Sequence, residues 1–146
     1  MTEKPVDPGR ADYKHFVTIT TRWMDNDVYG HVNNVQYYSY FDTAVNLYMT
    51  QQGGLDYLAG QAIGYVVETR CQYRRPIAFP DTVEVGIRVA KIGRSSVTYE
   101  VGIFKQGQAE ICAFGHFVHV YVERATSTPT PIPEKDRAAM QAISVA

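Results

Sequence analysis

Residues 25–34 read DNDVYGHVNN: two carboxylates, a glycine, a histidine and a closing pair of asparagines within one short run. Asp25 and Asp27 lie in a segment whose Asp, Asn and Gly content breaks regular structure and favours turns. Gly30 permits close backbone approach. Asn33 or Asn34 suits the N-cap of a following helix, because a short amide side chain accepts from the unpaired N–H groups of the first turn. Those N–H groups carry partial positive charge. A carboxylate beside such a terminus, at the edge of an apolar core, has the parts for acyl transfer. The carboxylate attacks an acyl carbon or deprotonates a water that does so, while the helix N–H groups bind the developing oxyanion. The same residues have plainer readings as caps, turn formers and a structural histidine. Asp25, Asp27 and His31 also form a D-x-D-x-x-x-H pattern, but no further ligand lies nearby in sequence, so no metal site is expected.

The elements around this run must position it. Residues 16–23 (FVTITTRW) are β-branched and aromatic and predict a strand. Residues 35–51 predict a helix. Val35, Tyr38, Phe41, Val45 and Tyr48 recur at helical spacing, and so do Tyr37, Tyr40, Ala44 and Leu47. The two stripes cover most of the circumference, so the helix is expected to be buried nearly all round, with Ser39, Asp42, Thr43, Asn46 and Thr50 as its polar strip. Gly53-Gly54 ends it. Residues 65–74 then alternate, with one mainly apolar and one mainly charged face. Strands at 83–89, 97–103 and 111–122 follow, separated by turns at 93–96 and 106–108. A strand, a buried helix and then four strands on short turns form an α+β arrangement, with the sheet wrapped around the helix and one strand edge open to pairing between subunits. Residues 1–14 read as a flexible lead-in, 15–124 as the single domain, and 125–146 as a Pro-rich tail with a short helix starting at Glu134.

The whole chain limits the function classes. At 146 residues it makes one domain with a sizeable core. Fourteen Lys and Arg against fifteen Asp and Glu give a formal net charge of −1, which provides no footing for nucleic acid or a membrane surface. The 11 tyrosines suit half-buried surfaces and subunit contacts. Cys71 and Cys112 sit in apolar strand-like runs and read as buried free thiols, in keeping with a cytoplasmic location. Residues 1–12 lack the apolar stretch of a secretory signal, and no run approaches the length of a membrane span. His116 and His119, on opposite sides of a strand, read as structural.

The run 21–42 closely resembles the signature of hotdog-fold acyl-CoA thioesterases of the 4-hydroxybenzoyl-CoA thioesterase-like, or YbgC/FadM-like, family. In that family an Asp-x-Asp pair precedes a Gly and, in one large branch, His-Val-Asn-Asn and an aromatic-rich helix. Here these are Asp25, Asp27, Gly30, His31, Val32, Asn33 and Asn34. Plant acyl-carrier-protein thioesterases share a similar run, and residues 73–81 (YRRPIAFPD) resemble the family's turn between the second and third strands. The resemblance implies a five-stranded antiparallel sheet around one central helix and a thioester hydrolase that releases a free acid and CoA. It places the catalytic carboxylate on Asp27, the oxyanion donor on the Asn34 backbone N–H and a helper role on His31. Tyr29 stands where the plant enzymes carry Asn, and Asp42 where other branches carry Glu. Gly30, Arg88, Lys91, Arg94, Ser95 and Ser96 are the implied substrate-binding residues, with Arg74 and Arg75 a second basic pair for CoA phosphates. No cofactor is implied beyond the CoA of the substrate. The implied site lies between subunits, so a dimer or dimer of dimers is expected. A hotdog hydratase or dehydratase, and a non-catalytic acyl-CoA-binding module, are the alternatives.

Overall fold

The computed structural model of the chain describes residues 6–56 and 58–145. Strand β1 (His15–Thr20) leads into the helix α1 (Asn34–Gln52). Strands β2 (Ala62–Tyr73), β3 (Thr82–Ile92), β4 (Ser96–Lys105) and β5 (Ile111–Glu123) follow, and α2 (Glu134–Ala142) closes the chain. The strands form one antiparallel sheet in the order β1-β3-β4-β5-β2. This is the hotdog arrangement: α+β, with a long helix against a five-stranded sheet. The inward residues of β3 and β4, among them Val83, Val85, Ile87, Val89, Tyr99, Val101 and Ile103, alternate onto one face and meet Phe41, Ala44, Val45, Tyr48 and Met49 of α1. The period-two pattern of the strands and the helical period of α1 therefore bury one common core.

Three expectations need correction. First, α1 is not covered all round. The sheet takes only one side of it, and Val35 and Leu47 join the polar strip in the open, Val35 at 64% exposure. Second, β2 has no buried face over most of its length: residues 65–70 are all exposed. The strand is the sheet's outer edge beyond β5, where α1 no longer covers it. A bulge between Val66 and Glu68 interrupts its ladder. Its free edge thus exposes an apolar stretch, Tyr65, Val66 and Val67, followed by Glu68, Thr69 and Arg70.

Third, the lead-in is docked from Gly9 onward; residues 1–5 lie outside the described ones. Gly86 and Gly102 face each other across β3 and β4. A Cβ at Gly102 would stand 2.5 Å from the Tyr13 ring, and one at Gly86 would stand 2.8 Å from Tyr13 Cβ. The two glycines make a trough on the outer sheet face, and the Tyr13 ring fills it beside Phe104 and Ile111. Arg10 pins the segment, with Nη2 donating to Glu84 Oε1 at 2.8 Å and the guanidinium 4.8 Å above the Phe104 ring. The tail is likewise integral. Ile132, Ala139, Met140 and Ile143 enter the core, and Asp136 accepts from the Tyr121 hydroxyl at 3.0 Å and the Gly54 N–H at 2.9 Å. Tyr13→Ala should cost about 3 kcal/mol in urea unfolding, the scale for emptying a buried aromatic site; a loss under about 1 kcal/mol would mean that the lead-in contributes little to the fold.

Candidate active site

The run 22–34 folds around Asp25. Its side chain is fully buried, with exposure of 0%. Oδ2 accepts from the Arg22 backbone N–H at 2.9 Å and from the Tyr40 hydroxyl at 2.8 Å, and Oδ1 accepts from the Arg22 guanidinium at 3.0 Å and 3.1 Å. Burial alone would raise this carboxyl. The Arg22 backbone, the Tyr40 hydroxyl and the Arg22 cation together outweigh it and hold the acid below its usual value of 3.8. Asp25 is therefore an anchor that ties the short 3₁₀ turn Trp23–Asp25 to the second turn of α1. The Asp25 carbonyl extends the tie by accepting from the Asn33 N–H at 2.9 Å.

The loop that follows is a small closed hairpin. Asn26 bridges Val32, and the Asp27 N–H donates to the His31 carbonyl at 2.9 Å. Gly30 has φ of +84°, a left-handed conformation that glycine takes without steric cost. Its N–H donates to the Asp27 carbonyl at 3.1 Å. The hairpin is stapled to the segment before β3: the Val32 N–H reaches the Ile77 carbonyl at 2.7 Å, and the Phe79 N–H reaches Asn26 Oδ1 at 3.0 Å.

Asp27 sits at the rim of this loop, half-buried. The Tyr29 N–H donates to Oδ1 at 2.9 Å, which orients the carboxylate; Oδ2 has no protein donor among the described residues. Asn33 is the N-cap: its Oδ1 accepts from the Val35 N–H at 3.0 Å. That leaves the N–H of Asn34, the first residue of α1, without a protein acceptor among the described residues. A carboxylate oxygen and a helix N–H thus stand unpaired on either side of the cap. Asp27 and the Asn33 cap line an open pocket together with Trp23, Asn26, Val28, Tyr29 and Gly30. Trp23, Val28 and Tyr29 are strongly exposed there, and Trp23 packs edge-on against Phe79. His31 is exposed on the same loop.

The basic candidates lie elsewhere. Arg94, Ser95 and Ser96 form the turn at the far end of β3, whereas the Asp27 hairpin is stapled at its near end. Eleven residues of strand separate them, roughly 36 Å at about 3.3 Å per residue. One chain does not bring them together. Lys91 is exposed near that turn. Arg88 is committed to the outer face, 2.9 Å from Glu100 Oε1 and 2.9 Å from the Asp12 carbonyl. Arg74 pairs with Asp7 at 2.9 Å and lies over Phe114, while Arg75 donates to the Ile111 carbonyl at 2.8 Å. Asp42 is exposed on α1 and accepts from Asn46. The partners of Asp25 escape a sequence reading that assigned Tyr40 to the core; the Arg22/Asp25 spacing of three was the available signal.

If the buried carboxylate anchors the loop, Asp25→Asn should lower stability at neutral pH by about 1–3 kcal/mol. The folded carboxyl lies below its unfolded value, so the native state binds fewer protons and its advantage is lost as pH falls. The gap between wild type and Asp25→Asn in urea unfolding should therefore close as pH drops from about 5 through 3.8 and below. A gap independent of pH would contradict the anchor.

Comparison with known proteins bears on what this site does. The profile of the Thioesterase-like superfamily matches residues 21–141. The fold superposes on the PA5185 protein of Pseudomonas aeruginosa strain PAO1 with a TM-score of 0.93 and 55% identity, covering 94% of this chain and 96% of that one. It superposes on the PA2801 protein of Pseudomonas aeruginosa with a TM-score of 0.81 and 31% identity, covering 86% and 97%. The BH1999 gentisyl-coenzyme A thioesterase aligns with a TM-score of 0.76 and 25% identity over 86% and 99%. With its hotdog fold and a family match that spans the hairpin, the helix and the sheet, the chain belongs to the Thioesterase-like superfamily and is a thioester hydrolase.

Proposed function

We propose that the protein hydrolyses acyl-CoA thioesters, with Asp27 as the reactive carboxylate and the N-terminus of α1 as the oxyanion site. The observation that carries this reading is the pair of unmatched groups beside the Asn33 cap, Asp27 Oδ2 and the Asn34 N–H, in a loop whose other backbone groups are largely bonded. The thioester carbonyl carbon faces Oδ2, and its oxygen accepts from the Asn34 N–H. As the carbon becomes tetrahedral, negative charge gathers on that oxygen, where the N–H and the partial charge of the helix end hold it. CoA leaves as the thiolate. Asp27 performs the first step either by attacking the carbon itself, giving an anhydride that water then hydrolyses to the free acid and the restored carboxylate, or by taking a proton from a water that attacks and yields the acid directly; both use the same oxygen. His31, exposed on the same loop, then protonates the thiolate. The gentisyl-coenzyme A thioesterase among the similar structures supports CoA as the carrier.

Two copies complete the site in this reading. The exposed edge of β2 pairs with the β2 of a second copy, antiparallel about its middle, which extends the sheet and leaves both helices on one face running in opposite directions. Tyr65, Val66, Val67 and the open side of α1 become covered. The Asp27 hairpin of one copy then lies towards the end of the sheet where the other copy carries Arg94, Ser95 and Ser96, which serve the CoA phosphates.

Asp27→Asn should retain the fold and lose about 100-fold or more in kcat for CoA release across a panel of acyl-CoAs. A wild type that binds acyl-CoA without releasing CoA would make the protein a binding module instead. By analytical ultracentrifugation the native species should have at least twice the chain mass of 16.4 kDa; a monomer at micromolar concentration would rule out the shared site.

A further inference from the structure

A second cavity lies under the C-terminal half of α1. It measures about 210 Å³ and is walled by Val45, Met49 and Leu55 on one side and by Ile63, Tyr99 and Tyr121 on the other. That is room for roughly seven waters at about 30 Å³ each. His119 on β5 completes the wall. It is 6% exposed, its Nε2 is sealed from solvent with no hydrogen-bond partner, and its ring makes no hydrogen bond among the described residues. The Tyr99 hydroxyl is also unbonded among them. Buried polar groups are nearly always paired; Nε2 is closed to any occupant of the cavity, so the nitrogen that a ligand atom meets is Nδ1, which lies beside Gly64 and also has no hydrogen-bond partner among the described residues.

The chemistry of the ring narrows that atom. Burial, only partly opposed by the charge of Asp42, lowers the His119 pKa and keeps the ring neutral, with one N–H and one bare nitrogen. A hydroxyl both donates and accepts, so it suits the ring in either tautomer. Gly64 leaves the approach open: a Cβ there would stand 3.2 Å from His119 Nδ1. Asn46 and Arg124 are the polar members of the remaining wall and the rest is apolar or aromatic, so the body of the ligand is mainly apolar.

The position of the cavity ties it to the proposed site. Ile63 and Gly64 lie at the start of β2. In an antiparallel pair of β2 edges centred on the strand, that start faces the 71–73 end of the second copy. There the Tyr73 hydroxyl donates to the Asn34 carbonyl at 3.3 Å, so the α1 N-terminus of the second copy stands beside this cavity. We propose, as an extension of the thioesterase reading, that this cavity receives the far end of the acyl group and that His119 selects acyl groups carrying a hydroxyl there.

The test compares kcat/KM for matched acyl-CoA and ω-hydroxyacyl-CoA pairs over a series from hexanoyl to dodecanoyl. At the best chain length, wild type should favour the hydroxylated member about fivefold to tenfold, the worth of one hydrogen bond. His119→Phe should erase that preference while its Tm stays equal or rises, since an unpaired buried nitrogen is removed. Gly64→Ala, which crowds Nδ1, should reduce the preference as well. An independent arm titrates histidine-labelled protein with free ω-hydroxy and plain fatty acids and follows the His119 ring by NMR. Ring resonances that move with the hydroxy acids alone support the proposal. An equal ratio in wild type and His119→Phe, or a ring indifferent to the hydroxyl, overturns it. If no acyl-CoA turns over, the thioesterase reading falls and the NMR arm still decides whether His119 binds a hydroxyl.

Discussion

The buried carboxylate of Asp25 is the constraint on which the rest of the site depends. A carboxylate removed from water is costly unless its lone pairs are met, and here an arginine, a backbone N–H and a tyrosine hydroxyl meet them. Because those partners come from the turn before the loop and from α1, satisfying the charge fixes where the loop sits against the helix. Everything else in the hairpin follows from that placement: the bridge between Asn26 and Val32, the left-handed Gly30, and the staples to Ile77 and Phe79. Two aspartates two residues apart thereby take opposite roles. Asp25 is spent on structure, and Asp27, held by a single N–H, keeps an oxygen without a protein donor among the described residues, the one proposed above to react.

The same fold leaves surfaces that one chain does not cover. The sheet order puts β2 at the edge, with apolar side chains exposed along it, and α1 shows Val35 and Leu47 outside its polar strip. A natural edge strand is usually blunted by charge, proline or a covering element. β2 carries a bulge and the exposed charges Glu68 and Arg70, but it keeps Tyr65, Val66 and Val67 in the open, the stretch proposed above to be covered by a second copy. The separation of the Asp27 hairpin from the Arg94 turn along β3 is what the proposed two-copy site would bridge.

The elements and the loop that holds the candidate site were legible in sequence for identifiable reasons. Strong period-two runs located β3, β4 and β5, and the Asn33 cap with Gly53 bounded α1. The DNDVYGHVNN run marked the loop. What escaped was whatever depends on tertiary placement. An apolar-all-round helix reads as buried, yet sheet order decides which side is covered. Alternation in β2 predicted a buried face that an edge strand does not acquire. The docking of the lead-in rests on Gly86 and Gly102 meeting across two strands, which no local pattern reveals. Arg88 looked available for phosphate until Glu100 and Asp12 were found beside it. His119 read as structural because a lone histidine on a strand carries no sign of the cavity it faces.

The most direct measurement is a crystal structure with a ketone analogue of an acyl-CoA, in which a methylene replaces the thioester sulfur. The carbonyl oxygen should accept from the Asn34 N–H at about 3 Å, with the carbonyl carbon within about 3–3.5 Å of Asp27 Oδ2 or of a water bonded to it. A carbonyl held away from both groups, with Asp27 facing solvent, would contradict the division of labour between the two aspartates.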